Sequence, residues 1–165
     1  MSYKLGEPLT DHIVEEVCKL SNIFGIMSVN ETDFDPNYHK EKRNPYKQEV
    51  RRIVEERKIK YFIDIHGLKD GNNYDLAIYY PTRFWKSRDL AIQLQESLDK
   101  GELRGINIAI LRFLDNNQET LGEFVTSKLR IPSIQIEVAR YIREDASMRN
   151  TLVNSLSDTL NKLVI

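Results

Sequence analysis

The run Tyr61-Phe62-Ile63-Asp64-Ile65-His66-Gly67 decides the fold when it is read together with Ile134-Gln135-Ile136-Glu137-Val138-Ala139-Arg140. Both are short apolar runs containing β-branched residues, the pattern of strands buried in a sheet. Both also end on residues that carry chemistry. In the first, the His66 imidazole leaves the sheet where strand becomes loop, a position suited to a metal ligand or a catalytic base. A plainer role fits the same position, with the ring hydrogen-bonded to a loop carbonyl. Asp64, two residues earlier, shares the His66 face of the strand and can orient the imidazole as an acceptor. In the second run Glu137 interrupts the apolar pattern. An unpaired carboxylate there is costly, so Glu137 should have a cation, a hydrogen-bond partner or a raised pKa.

Working outward, Leu9, Ile13, Val14, Val17 and Leu20 recur at helical spacing, with Thr10 or Asp11 as a cap. Residues 23–29 form a short apolar run containing Gly25 and fit a buried strand, and the polar stretch 30–44 reads as a loop. Pro45 opens a helix carrying Val50, Ile53 and Val54, which ends in Glu55-Glu56-Arg57-Lys58. After the His66 strand the alternation continues: strand 76–80, helix 86–98, strand 106–111, helix 119–129, strand 133–138 and helix 145–163. This order predicts a single α/β domain over residues 1–165. Its architecture is a three-layer α/β/α arrangement with a mostly parallel or mixed central sheet, of the phosphorylase/hydrolase-like kind.

A chain of 165 residues with 41% hydrophobic content can bury one full core. Lys plus Arg at 24 against Asp plus Glu at 25 leaves a formal net charge of -1, so no global field draws it to nucleic acid or to an anionic membrane. No apolar run approaches a membrane span, and Met-Ser-Tyr-Lys-Leu-Gly lacks the apolar region of a signal peptide. The lone Cys18, on the apolar side of the first helix, excludes an internal disulfide and reads as core. A cytoplasmic protein is the expectation. His12 and Glu15 form a His-x-x-Glu pair on one helical face, the common arrangement of a solvated helix as well as of a metal pair. His39 lies in the polar loop, whose Tyr38-His39-Lys40-Glu41-Lys42-Arg43 stretch is too narrow for a nucleic-acid footprint.

Ile-Asp-Ile-His-Gly and Gln-Ile-Glu-Val-Ala-Arg resemble the Asp-x-His-Gly and Gln-Ile-Glu-x-x-Arg motifs of N-formylglutamate amidohydrolases, a family similar in fold and metal chemistry to zinc carboxypeptidases. Glu7-Pro8-Leu9-Thr10-Asp11 and Asp35-Pro36-Asn37 fall in the order of two further family segments. The resemblance implies a zinc-dependent amidohydrolase acting on an N-acyl amino acid or a small peptide-like amide that bears a carboxylate. It implies His66 and Glu7 as metal ligands and Glu137 as general base, with Asn37 and Arg140 holding the substrate carboxylate. Glu7 also fits the ordinary electrostatic role of an acid before a helix, and Arg140 a plain salt bridge. Three departures stand out: Tyr38 replaces the family arginine, Arg143 stands where a tyrosine usually follows, and the opening Pro-His-x-Gly strand is absent. That absence implies a shortened N-terminus, weak zinc binding, and a sheet edge that lies open or is paired in a homo-oligomer. It also implies the alternative of a noncatalytic relative that binds a small acidic ligand or a protein partner.

Overall fold

The computed structural model describes residues 7–27, 36–37, 39–81, 84–113 and 119–163. Its centre is a sheet of strands β1 (Phe62–Gly67), β2 (Leu76–Tyr80), β3 (Ile108–Arg112) and β4 (Ser133–Val138), in the spatial order β1-β4-β2-β3. β1 runs parallel to β4 and β2 parallel to β3, while β2 and β4 are antiparallel. The sheet is therefore mixed. Its helices are α1 (Thr10–Leu20), α2 (Pro45–Arg57), α3 (Trp85–Leu98), α4 (Leu121–Phe124), α5 (Arg140–Glu144) and α6 (Ala146–Lys162). None of them among the described residues is long and apolar enough to cross a membrane.

Strand alternation divides the sheet into two unlike faces. Ile63, Ile65, Leu76, Ile78, Ile134, Ile136 and Val138 share the apolar face, and α1, α3 and α6 pack there through Ile13, Val17, Leu90, Leu94, Leu152 and Leu156. The opposite face carries Phe62, Asp64 and His66 from β1 beside Ser133, Gln135 and Glu137 from β4. α2 and α4 cover its lower end, where Val50, Val54, Leu121 and Phe124 cluster with Phe62. The three-layer α/β/α expectation holds, with the second helical layer covering less of the sheet than the first.

Local signals set most boundaries. Asn44 caps α2, accepting from the Lys47 N–H at 3.0 Å, and Pro45 follows it at the first helical turn. Thr120 and Glu123 form a reciprocal capping box on α4, whose chain then continues as a π-turn over Val125–Leu129. Asp145 caps α6 through the Met148 N–H at 2.9 Å. α1 has no side-chain cap of the expected kind: Thr10 donates its hydroxyl to the Glu7 carbonyl instead. The predicted strand over 23–29 is not present in its described part, since residues 23–27 carry no regular hydrogen-bonding pattern. They pair with none of the described strands, and Gly25 is pressed so close to α1 that an added Cβ would meet the Cys18 Sγ at 2.6 Å.

Lys47 is a buried cation in this scaffold, 0% exposed, with Nζ donating to the Glu119 carbonyl at 2.6 Å and lying 3.5 Å from the Glu119 carboxylate. Burial presses its pKa below 10.5, partly countered by Glu119. A lysine whose native pKa is depressed destabilises the fold fully below that native value, and the penalty fades as pH rises toward 10.5. Lys47→Met is thus expected to match or exceed wild-type stability at pH 7, whereas Lys47→Ala, which leaves a void, should lose about 3 kcal/mol. Urea unfolding at pH 7 and again near pH 10 measures both effects. A methionine advantage that grows with pH would contradict the burial argument.

Candidate active site

Parallel register sets His66 directly beside Glu137, and antiparallel register sets Ala77 on the other side of Glu137. Neighbouring strands are about 4.8 Å apart, so the His66 and Glu137 side chains rise from the same face as near neighbours. The small Ala77 leaves room next to them. Asp64 and Gln135 form the next rung, and Tyr79 extends it onto β2. The result is a polar patch set into a sheet whose other face is almost wholly apolar.

His66 lies between two carboxylates. Its Nδ1 is 3.2 Å from Glu7 Oε2, and its Nε2 is 3.0 Å from Asp64 Oδ2. The second approach is off the line of an N–H···O bond, so these two buried atoms have no aligned hydrogen-bond partner. Burial alone would lower the imidazole pKa. Asp64 and Glu7 outweigh that and push it up to about 11, so a metal ion bound at the ring would have to displace its proton. Glu7 is desolvated, yet its carboxyl lies below the usual range because His66, the Gly67 N–H at 3.1 Å and the charge of Arg143 all favour its ionised form.

Glu137 shows the opposite balance. Burial, reinforced by the charge of Glu7, raises its pKa against the pull of His66 and of the Gln135 amide, which donates to it at 2.9 Å. A carboxylate held above its ordinary range is a stronger proton acceptor. Tyr79, whose hydroxyl lies 3.3 Å from that of Tyr74, is also raised by burial and feels the Glu137 charge.

Arg143, a departure in the sequence comparison, proves to be a principal strut of the site. Only 4% exposed, it donates Nε to the Val138 carbonyl at 3.0 Å and Nη1 to the Pro8 carbonyl. It thereby ties the Glu7-Pro8 segment to the end of β4. Gly67 makes this possible, since a Cβ there would stand 3.0 Å from the guanidinium and 3.2 Å from Glu7. Gln135 and Tyr79 likewise went unassigned from sequence. Strand alternation from Glu137 points to Gln135; the antiparallel pairing that delivers Tyr79 leaves no local trace.

Other contacts hold the remaining candidates. The Asn37 side chain accepts from the Leu121 N–H at 2.9 Å, at the start of α4. Arg140 opens α5 just beyond β4 and pairs with Glu144 at 2.6 Å on the surface. Glu15 belongs to Lys19 at 3.0 Å rather than to a His12 metal pair. The His39 carbonyl accepts from Asn44, and His39 itself is exposed. Tyr38 and Asp35 lie outside the described residues.

The donor chemistry fits a zinc ion in part. Ligand atoms around a tetrahedral zinc with bonds near 2.0 Å lie about 3.3 Å apart, close to the 3.2 Å between His66 Nδ1 and Glu7. Asp64 beside the other ring nitrogen is the carboxylate that commonly orients a ligating histidine. Among the described residues no group of three or more His, Cys, Asp or Glu side chains is gathered to hold a metal.

No protein-family model and no curated protein matches the chain. Its fold does match solved structures. The CwlD amidase of Clostridioides difficile, solved in complex with the GerS lipoprotein, is 18% identical, with a TM-score of 0.59 over 91% of this chain and 81% of that one. The catalytic domain of CwlV, an N-acetylmuramoyl-L-alanine amidase of Bacillus (Paenibacillus) polymyxa var. colistinus, is 14% identical, with a TM-score of 0.58 over 93% of this chain and 79% of that one. The N-acetylmuramoyl-L-alanine amidase AmiC2 of Nostoc punctiforme is 17% identical, with a TM-score of 0.53 over 91% of this chain and 79% of that one. The chain therefore shares the α/β fold of these amidases.

Proposed function

We infer that the chain is a metal-dependent amidohydrolase that cleaves the amide of an N-acyl amino acid or short peptide carrying a carboxylate. The observation that carries this reading is the juxtaposition, on one sheet face, of the Glu7–His66–Asp64 cluster with a partly buried Glu137 of raised pKa. The fold shared with three amidases supports it. The N-acetylmuramoyl-L-alanine bond named for two of them belongs to the proposed substrate class.

His66 and Glu7 would hold the ion, with Asp64 fixing the ring, and a third donor would complete the set. A zinc ion held there would supply the Lewis acidity that acidifies water and polarises an amide carbonyl. Glu137 accepts a proton from the attacking water as the C–O bond forms, and then returns it to the amide nitrogen as the C–N bond breaks. Arg140 stands at the rim, where its exposed pairing with Glu144 can give way to a substrate carboxylate. Asn37 would reach the substrate only by yielding its bond to Leu121. A second reading, a noncatalytic relative that binds an acidic ligand, is favoured by the gathering of only these two donors among the described residues.

The test is zinc titration by calorimetry on wild type and His66→Ala, alongside amine release from N-acetylmuramoyl-L-alanine and from N-acyl amino acids. Wild type is expected to take up zinc weakly and to hydrolyse at least one substrate slowly, while His66→Ala stays folded and loses both. Equal zinc uptake by the two proteins would refute the ligand assignment. Zinc uptake without hydrolysis of any substrate would favour the binding role.

A further inference from the structure

Among the described residues β1 forms a rim of the sheet, with a strand partner on one side only. The Phe62 N–H donates to the Pro132 carbonyl and the Leu68 N–H to the Val138 carbonyl, each at 2.9 Å. In a parallel ladder alternate residues face the same neighbour, so Phe62, Asp64 and His66 turn their peptide groups to β4 while Ile63, Ile65 and Gly67 turn theirs outward. Glu7 already takes the outward N–H of Gly67. The outward groups of Ile63 and Ile65 have no partner among the described residues, and both residues line a cavity of about 550 Å³.

This cavity is a slot between helices. α1 and α6 line one side through residues such as Val14 and Leu160, and α2 lines the other through Val50 and Ile53. Residues 22–27 supply a further wall, held by the Tyr46 hydroxyl donating to the Ile26 carbonyl at 3.1 Å and by Arg57 over the Phe24 ring at 5.1 Å. An apolar small molecule would fill the volume but leave the Ile63 and Ile65 peptide groups unbonded, at a cost for each. An extended polypeptide satisfies both demands. With helices on its two sides, such a guest must be apolar on both faces, as strands buried in parallel sheets are. Charge sets its ends: Arg57, Lys58 and Lys60 line the slot near the start of β1, and Asp11 lines it toward the other end.

We propose that the slot beside β1 receives an extended segment of a partner polypeptide, apolar over about five residues, acidic at the Lys58–Lys60 end and basic at the other, which adds to β1 as a further strand. The slot shares Asp64 with the His66 cluster, but peptide binding there does not depend on hydrolysis.

The probes are two fluorescein-labelled heptapeptides, Glu-Val-Ile-Val-Ile-Val-Lys and its reverse, followed by fluorescence anisotropy on the full chain. One of them is expected to bind saturably, and N-methylation of its alternate amides should weaken it at least tenfold. Ile63→Pro removes an outward N–H but no bond to β4, so it should abolish binding with the far-ultraviolet circular dichroism unchanged. Should that variant unfold, Lys58→Glu with Lys60→Glu is the second arm, expected to weaken the peptide about tenfold at low salt and far less at high salt. Absence of saturable binding by either peptide, or equal binding of the N-methylated form, overturns the proposal. A concentration-dependent dimer that the peptide fails to dissociate would assign the slot to a second copy of the chain and overturn it as well.

Discussion

Glu137→Gln is expected to reduce turnover of the hydrolysed N-acyl amino acid about a hundredfold or more, with zinc affinity retained. The substitution preserves volume and the strand register beside His66 and Ala77, and it removes the carboxylate of raised pKa from that face. Gln135 would still find an acceptor in the new amide oxygen, so the local hydrogen bond survives. Steady-state kinetics on the zinc-loaded variant, with metal content measured on the same sample, separate chemistry from loading. Near-normal turnover would remove Glu137 from the role of base and leave its raised pKa as a consequence of burial alone.

The second large effect concerns Arg143, which touches no substrate and acts by positioning. Arg143→Met keeps much of the volume but leaves the Val138 and Pro8 carbonyls without their donor. Hydrogen bonds from a charged group contribute about 1.5–3 kcal/mol each, so a loss of about 3 kcal/mol in urea unfolding is expected. Glu7 also loses its nearby cation and the anchor of its backbone, which should weaken zinc binding by about tenfold or more. A variant destabilised to that extent yet unchanged in zinc affinity would show that Glu7 does not depend on the strut.

Much of this architecture was legible in the chain itself, for physical reasons. The helices and the four described strands follow from apolar periodicity, and the positions of His66 and Glu137 at strand ends were enough to bring them to one edge of the sheet. Asp64 was legible too, because a two-residue offset on a strand returns to the same face. Residues 23–27 misled because a short apolar run signals burial without signalling a partner, and the run joins none of the described strands. Arg143 was opaque for a different reason: on a surface helix the same residue would be solvated, and only the tertiary approach of Pro8 and Gly67 buries it. The reversal of β2 relative to β4 was equally hidden, since chain order is compatible with an all-parallel sheet.

The strand order β1-β4-β2-β3 has a consequence for how the chain acquires its structure. β1 and β2 follow one another closely in sequence but do not pair; each meets β4, which is synthesised much later. Contacts between such distant segments carry a large loop-closure entropy and slow the search for the native state. On a ribosome, the apolar edges of β1 and β2 would wait exposed until Val138 has emerged, a period in which chaperones or neighbouring chains compete for them. Insertion of β4 as the keystone strand should therefore coincide with the rate-limiting step of folding, and the apolar substitution Ile136→Val should slow refolding more than it accelerates unfolding.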